Sequence, residues 1–227
     1  MNNNRAFTRL ELVVVVATVV VLVLLGWCGM RTYKELALRQ RCQGNLRQVG
    51  AALQAYATTH DGSLPDCSDN NPQYSGSAWP WDMNTNLFNE VVQLGATTNS
   101  LYCPANPAMN DLSHREFWRF AHNPLKVISY GMLFAGMNQE PPPYWRRDLK
   151  GDGVRSPAQT ELGFDATVSM GGDFLHVRGI NVDRSNHVRG TKPLGGNILM
   201  EDGHVDWRNF KQMQFRLQTW PPARWYF

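Results

Sequence analysis

The chain has 227 residues, a formal net charge of +3 and eight tryptophans. So weak a positive charge, with no basic stripe interleaved with aromatic residues, argues against a nucleic-acid-binding protein. The aromatic content is typical of a packed globular body and excludes a mainly disordered chain. About 200 residues follow the N-terminal apolar segment, enough for one domain or two small ones.

The first predicted element is an apolar helix near the N-terminus. The run from Phe7 to Trp27 has 21 residues. At about 1.5 Å per residue it can cross the ~30 Å hydrocarbon core of a bilayer, where the backbone must pair internally as a helix. Glu11 lies inside this run, where a charged side chain costs at least ~2.5 kcal/mol. We therefore expect Glu11 to have a partner.

Three ordinary explanations of this segment stay open. A cleaved secretory signal predicts a small-x-small site after the apolar run. The residues there, Gly26 and Cys28 on either side of a tryptophan, match such a site poorly. A lipoprotein needs a small residue before Cys28, where Trp27 stands. A plain signal anchor leaves Glu11 unexplained.

The stretch "AFTRLELVVVV" resembles the N-terminus of type IV prepilins and pseudopilins. That family has a short basic leader, a small residue, then Phe-Thr-Leu-Ile-Glu and a long apolar helix. The resemblance implies cleavage by prepilin peptidase after Ala6, N-methylation of the new amine at Phe7, and Glu11 as the fifth mature residue. In a filament, Glu11 would pair with the Phe7 amine of a neighbouring subunit, which offsets the desolvation cost of both charges.

Two positions depart from the family pattern. Ala6 stands where glycine is usual, and Arg9 stands where an apolar residue is usual. Alanine is still small enough for cleavage, and Arg9 can extend its guanidinium to the cytoplasmic interface. The basic residues after the run outnumber those before it, which argues against a cytoplasmic N-terminus. They are Arg31, Lys34, Arg39 and Arg41. We follow the resemblance and expect the N-terminus in the cytoplasm.

An amphipathic stretch continues the helix beyond the apolar run. Apolar residues recur there every three or four positions, which predicts one buried helical face. They are Leu38, Cys42, Leu46, Val49, Leu53 and Tyr56. We expect one helix from Phe7 to about Thr58, ended by the turn residues of "HDGSLP". The stretch "RCQGNLRQVGAALQAYATTHDGSLP" also resembles a pseudopilin-like group that carries a C-terminal H-X9-DG signature.

The body that follows is predicted to be a small antiparallel sheet with irregular loops. Residues 61–126 are rich in turn residues, with a short helix expected near 86–94. Strands are predicted at 127–137 and 160–168. "GGNILMEDGHVDWRNF" predicts a hairpin with 198–200 and 205–207 on either side of an Asp-Gly turn. The fold class is therefore α+β, and the resemblance implies a pilin-like packing of the long helix on this sheet.

Four cysteines occur, and none forms a CxxC pair. An exported body permits one internal disulfide among Cys42, Cys67 and Cys103. "SLYCPANP" resembles the CP element of the same pseudopilin-like group, and Cys42 lies on the predicted buried face. A Cys42–Cys103 disulfide would join this loop to the helix. Cys67–Cys103 is the competing pair, and a buried thiol without a disulfide is the third alternative.

Candidate metal ligands lie in the C-terminal half. His187, with 14 residues between it and Asp202-Gly203, is a loose variant of the H-X9-DG signature. His187, Asp202 and His204 suit Zn²⁺ or another divalent ion. Further histidines and aspartates could converge with them: His176, Asp165, Asp173 and Asp183. The alternative is that Asp202 makes the hairpin turn and the histidines are solvated, since no HExxH motif occurs.

Calcium is a second candidate ion. "DLKGDGV" places Asp148 and Asp152 near a glycine turn, and some pseudopilins bind Ca²⁺ in a C-terminal loop. The glutamate that closes an EF-hand loop is missing. We expect no cofactor, with Ca²⁺ or Zn²⁺ as the alternatives. Without a GxSxG, P-loop or GxGxxG motif, the sequence predicts no catalytic activity.

The resemblance implies a structural subunit of a type IV pilus-like or type II secretion pseudopilus-like filament. Its expected parts are a leader at 1–6, a transmembrane half-helix at 7–28, an extramembrane half-helix at 29–59 and a globular domain at 60–227. The expected location is the bacterial inner membrane, crossed once with a periplasmic body, or a filament at the cell surface. The expected partners are prepilin peptidase, other pilin-like subunits and inner-membrane lipid, without nucleic acid.

Two functions of other classes remain as alternatives. A signal-anchored periplasmic metal-binding hydrolase would use His187, Asp202 and His204 together with His176. A surface module would display tryptophans to a polysaccharide. The tryptophans in that hypothesis are Trp79, Trp81 and Trp145.

Overall fold

A computed structural model describes residues 8–67, 73–74, 79–110, 125–134, 156–177, 184–219 and 222–227. Within these ranges the chain has an α+β fold of three α-helices and eleven β-strands. Its contacts divide it into two units, Met1–Ala37 and Leu38–Phe227. The helices are α1 Arg9–Thr59, α2 Thr85–Gln93 and α3 Pro107–Asn110.

The strands are short, and all of their pairings are antiparallel. They are β1 Asp82–Asn84, β2 Leu125–Val127, β3 Tyr130–Met132, β4 Glu161–Asp165, β5 Val168–Ser169, β6 Val188–Arg189, β7 Lys192–Pro193, β8 Gly195–Met200, β9 Val205–Asn209, β10 Phe215–Thr219 and β11 Ala223–Tyr226. The largest sheet has the order β3-β4-β8-β9, and a second sheet has the order β10-β11-β5. Two pairs, β1-β2 and β6-β7, complete the described pairing.

The part of α1 that belongs to the first unit is apolar and exposed. Its side chains from Leu10 to Leu25 include a continuous set of large apolar residues that are at least half exposed. Among the described residues, α1 is the one helix long and apolar enough to cross a membrane. No described residue of this unit covers these side chains, which is typical of a helix that contacts lipid or another protein.

The part of α1 that belongs to the second unit is amphipathic, as predicted. Cys42, Leu46, Val49 and Leu53 are fully buried, and Tyr56 is nearly so. Leu38, at the start of the stripe, is only half-buried. The stripe packs against β8 so closely that a Cβ at Gly50 would lie 2.8 Å from the Leu199 side chain. The predicted packing of the helix on an antiparallel sheet is therefore confirmed.

The predicted hairpin is confirmed as β8 and β9. Ile198 pairs with Asp206 and Leu199 with Val205, and Gly203 supplies the turn with a φ of +92°. The hairpin is longer than expected, because β8 begins at Gly195 and pairs with β9 as far as Asn209. The short helix expected near 86–94 is confirmed as α2, whose first turn is capped by the Asn84 side chain.

Two predicted strands are each divided in the structure. Val127, the first residue of the run at 127–137, is the last residue of β2, which pairs with β1, and the run continues as β3, which pairs with β4 in another sheet. The run at 160–168 becomes β4 and β5, which also belong to different sheets. In both cases an apolar run shows that a segment is buried but not which partner strand it meets. Residues 135–137 lie outside the described residues.

The core of the body is rich in aromatic rings. Trp225 on β11 is fully buried, and its ring lies 4.8 Å from Trp81, 5.7 Å from Trp79 and 6.2 Å from Phe164 between centroids. Its indole N–H donates to the Thr219 hydroxyl. Trp225 therefore joins the second sheet to the largest one through edge-to-face contacts.

Replacing Trp225 with alanine should lower the free energy of unfolding by about 3–5 kcal/mol, because it leaves a large cavity among three other rings. Phe215→Ala is the matched control, since Phe215 on β10 is 49% exposed, and it should cost less than about 1 kcal/mol. Urea denaturation in detergent, followed by circular dichroism, measures both. Equal costs for the two variants would contradict this description of the core.

Candidate functional site

The N-terminal end of α1 is closed by a capping box. The Thr8 backbone N–H and hydroxyl donate to Glu11 Oε2 at 2.8 and 2.9 Å, and the Glu11 N–H donates to the Thr8 hydroxyl at 3.3 Å. This reciprocal pattern pairs N–H groups that the first turn of a helix otherwise leaves open. The sequence carries its signal, Thr-x-x-Glu before an apolar run, so this role of Glu11 could have been predicted from the residues. Ala6 and Phe7 lie outside the described residues.

The histidine and aspartate at the hairpin turn form an exposed pair. His204 Nδ1 lies 2.5 Å from Asp202 Oδ1, and the His204 backbone N–H donates to the same oxygen. On its other side, His204 Nε2 lies 3.5 Å from Asp206 Oδ2. The backbone N–H of His204, with a smaller contribution from its ring, lowers the pKa of Asp202. This is the turn geometry that the simpler alternative predicted.

A similar local pair lies between β5 and β6. Asp173 Oδ1 accepts the Leu175 and His176 backbone N–H groups, and Asp173 Oδ2 lies 3.1 Å from His176 Nδ1. The Leu175 N–H, followed by the His176 ring, lowers the pKa of Asp173. Both side chains are about half exposed. Asp183, Asp148 and Asp152 lie outside the described residues.

His187 is fully removed from solvent and lies in a different environment from His204. Its Nε2 is 3.3 Å from Asp165 Oδ2 and 3.4 Å from Cys103 Sγ. Its ring meets the edge of Trp207 with centroids 5.1 Å apart. His187 has a backbone φ of +46°, a left-handed conformation that residues other than glycine rarely adopt. Strain of this kind persists only where the surrounding structure fixes the residue.

Four residues form what we call the buried cluster: Cys42, Cys103, Asp165 and His187. Their candidate ligand atoms all lie within 4.8 Å of one another, and all four residues are buried. In the part of the chain that the structure describes, no other group of this kind is compact enough to hold a metal ion. The structure therefore does not bring Asp202 and His204 together with His187. Of the described residues in the wider predicted set, which are Asp165, Asp173 and His176, only Asp165 belongs to the buried cluster.

A disulfide links Cys42 on α1 to Cys103, which follows the 3₁₀ helix Asn99–Leu101. The Cα atoms are 5.3 Å apart and the two residues are separated by 61 positions. Closing so long a loop stabilises the folded chain by about 4 kcal/mol in the chain-entropy view. Of the two pairings left open by the sequence, the structure has this one, and Cys67 is buried elsewhere in the core.

The Asp165 carboxylate is held by amide donors. Asn197 donates to Asp165 Oδ2 through its backbone N–H and its Nδ2, both at 2.8 Å, and Asn186 Nδ2 donates to Oδ1 at 3.0 Å. Asn186 in turn accepts from Asn106 Nδ2 at 3.1 Å. These donors satisfy a fully buried carboxylate that would otherwise be costly. Sequence reasoning missed the asparagines, because their meeting depends on how the strands pair.

Tyr130 lies opposite Asp165 in the β3–β4 register. Burial raises the pKa of the Tyr130 hydroxyl well above its ordinary value, the Asp165 charge raises it further, and the Asn45 side chain opposes the rise. Tyr130 is therefore a neutral phenol near the buried cluster. It does not supply a base.

The tryptophans proposed for polysaccharide binding are not at the surface. Trp79 and Trp81 are 5% and 1% exposed and stack with ring centroids 5.5 Å apart. Trp145 lies outside the described residues. Two of the three rings are thus part of the core, which removes the basis for that alternative.

No protein-family model, curated protein or solved structure matches this chain. The described residues provide an apolar helix whose first turn is capped by Thr8 and Glu11, and a body with one buried group of metal-ligating side chains.

Peptide mapping without reduction should recover the Cys42 peptide joined to the Cys103 peptide, because these two residues meet in the core. The measurement is mass spectrometry of a digest made after alkylation in denaturant, with a reduced sample as the control. Reduction should separate the two peptides. A Cys67 peptide joined to the Cys103 peptide would contradict the arrangement described here.

Proposed function

We propose that this chain is a structural subunit of a type IV pilus-like or type II secretion pseudopilus-like filament. Prepilin peptidase cleaves the precursor after Ala6 and methylates the amine of Phe7. The subunit is then held in the inner membrane by α1 until it assembles with other pilin-like subunits. Its activity is assembly and contact, not catalysis.

The proposal is supported mainly by the difference in exposure between the two parts of α1. Its first part exposes large apolar side chains, whereas its second part buries the stripe that begins at Cys42. A signal peptide that is cut away needs no such second part. A helix that is both membrane-inserted and built into a folded body suits a subunit that moves from lipid into a bundle of like helices.

Glu11 gives the proposal its specific chemistry. Both bonds from Thr8 go to Glu11 Oε2. A carboxylate has about four acceptor sites on its two oxygens, so Glu11 can cap its own helix and still accept a neighbour's ammonium group. The Phe7 amine created by cleavage supplies that group. Pairing satisfies two charges that each helix would otherwise carry alone in an apolar environment.

The disulfide supports an exported body. Disulfides persist in oxidising compartments and are rare in the cytosol. Cys42 and Cys103 both lie in the unit that begins at Leu38, after the apolar part of α1. A cytoplasmic N-terminus and a periplasmic body agree with this placement. The direction of insertion follows the prepilin resemblance, against the simple count of basic residues.

Substitutions of Glu11 test the proposal and separate its two roles. Glutamine at this position keeps the capping box but removes the negative charge, whereas Glu11→Val removes both. Both variants should insert in the membrane at least as well as the parent, because a charge leaves the apolar run. Both should reduce recovery in sheared filaments, and cross-linking to neighbouring subunits, by tenfold or more.

Thr18→Val is the matched control, since Thr18 lies in the same helix and its hydroxyl bonds only to the Val14 carbonyl among the described residues. It should assemble normally. Normal assembly of Glu11→Gln, with Glu11→Val defective, would mean that Glu11 acts only as a helix cap. Normal assembly of both variants would contradict any role of Glu11 in assembly.

A further inference from the structure

The buried cluster gathers its four side chains from separate elements of the body. Cys42 comes from α1, Cys103 from the loop after Asn99–Leu101, Asp165 from the end of β4 and His187 from the residue before β6. Each is at most 1% exposed. Two sulfurs, an imidazole and a carboxylate therefore meet at one buried point, where the sulfurs form a disulfide and amide donors pair with the carboxylate.

Two distances in the buried cluster match the edges of a tetrahedral zinc site, and the two sulfurs, which are bonded in the disulfide, would separate to about 3.8 Å after reduction. With Zn–S near 2.3 Å and Zn–N and Zn–O near 2.0–2.1 Å, ligand atoms lie about 3.4 Å apart for nitrogen and oxygen and about 3.6 Å apart for sulfur and nitrogen. His187 Nε2 is 3.3 Å from Asp165 Oδ2 and 3.4 Å from Cys103 Sγ. The Nε2 atom of His187 therefore lies close to both a carboxylate oxygen and a sulfur, at distances that suit two ligands of one zinc ion.

We propose that the reduced chain binds one Zn²⁺ ion in the buried cluster, through Cys42, Cys103, His187 and Asp165. A dithiol that reduces the disulfide gives up two electrons and two protons and becomes a disulfide itself, whereas a phosphine gives up two electrons and takes the oxygen of a water molecule whose two protons go to the sulfurs. In both cases the sulfur–sulfur bond breaks and two thiols remain. Zinc then displaces both thiol protons and binds the Nε2 lone pair of neutral His187, which requires the tautomer that carries its proton on Nδ1. The oxidised chain has no thiolates to offer and holds the disulfide in place of the ion.

The donor set selects zinc among the common cations. Two thiolates with one imidazole suit Zn²⁺, whereas Ca²⁺ and Mg²⁺ require oxygen ligands. All four ligands come from the protein and are buried, which is typical of a structural zinc site and not of a catalytic one with an open position. The same two elements, α1 and the Cys103 loop, therefore stay joined in both redox states.

The groups around the ligands support metal binding. Asn197 and Asn186 donate to the Asp165 carboxylate, and the Cys103 backbone N–H donates to the Ser129 hydroxyl oxygen, with the nitrogen and oxygen 2.5 Å apart. Partners of this kind orient ligands in metal sites. Two thiolates and one carboxylate carry three negative charges, one more than Zn²⁺ neutralises. The amide groups that donate to the Asp165 carboxylate stabilise this remaining charge.

Zinc titration of the full chain in detergent tests the site. The chain is reduced with a phosphine, stripped with a chelator and titrated with Zn²⁺ against a chromophoric competitor. The reduced chain should bind one Zn²⁺, and the oxidised chain should bind none at the same competitor concentration. Co²⁺ should give the near-ultraviolet band of thiolate coordination together with tetrahedral d–d bands.

Single substitutions assign the ligands. His187→Gln and Cys103→Ser should each weaken Zn²⁺ binding by tenfold or more. Cys67→Ser and His204→Gln are the matched controls, one a buried thiol and one an exposed imidazole outside the buried cluster, and both should bind as the parent does. Formation of the Cys42–Cys103 disulfide in oxidised His187→Gln shows that this variant folds.

Three results would overturn the proposal: no Zn²⁺ on the reduced chain, equal binding by the oxidised chain, or unchanged binding in His187→Gln and Cys103→Ser. If His187→Gln does not fold, the Co²⁺ spectra of the parent and of Cys103→Ser decide. Absence of a thiolate band in the parent, or the same band in Cys103→Ser, would overturn the proposal as well.

Discussion

The apolar face of α1 from Cys42 to Tyr56 must be covered, and the body is arranged around that requirement. Gly50 lets the helix approach Leu199 on β8, and the Gln43 side chain donates to the Val205 carbonyl on β9. The disulfide at Cys42 ties the same face to the loop at Cys103. The strands are short and lie in several small sheets, so they depend on contacts beyond their own pairing, such as β8 and β9 against this helix and β4 and β11 through the rings around Trp225.

Periodicity in the sequence predicted the features that depend on local order. The helical stripe, α2 and the hairpin of β8 and β9 each follow from spacing, capping or turn residues within a short stretch. The division of two apolar runs between sheets could not be predicted, because it depends on partner strands far along the chain. The capping box of Thr8 and Glu11 was available in the sequence and explains part of what a charged residue does there.

The candidate sites show the same contrast between features that depend on neighbouring residues and features that depend on distant ones. His204 with Asp202 is a local turn pair, and the sequence pattern that suggested a metal site equally predicted that turn. His187 lies beside Asp165 and Cys103, and nothing in its neighbourhood along the chain indicates this. The H-X9-DG-like spacing indicated His187 but grouped it with Asp202 and His204. The structure instead places it beside residues from α1, β4 and the Cys103 loop. Geometry of this kind arises only after the sheets have formed.

The pairing of Glu11 with an amine, and assembly through that pair, depend on processing of the N-terminus. The mass of the N-terminal peptide from protein isolated from its native membranes tests this processing. The expected peptide begins at N-methylated Phe7. A peptide that begins at an intact Met1 would indicate a plain signal anchor, and one that begins after Cys28 would indicate a released body; either result would contradict the account.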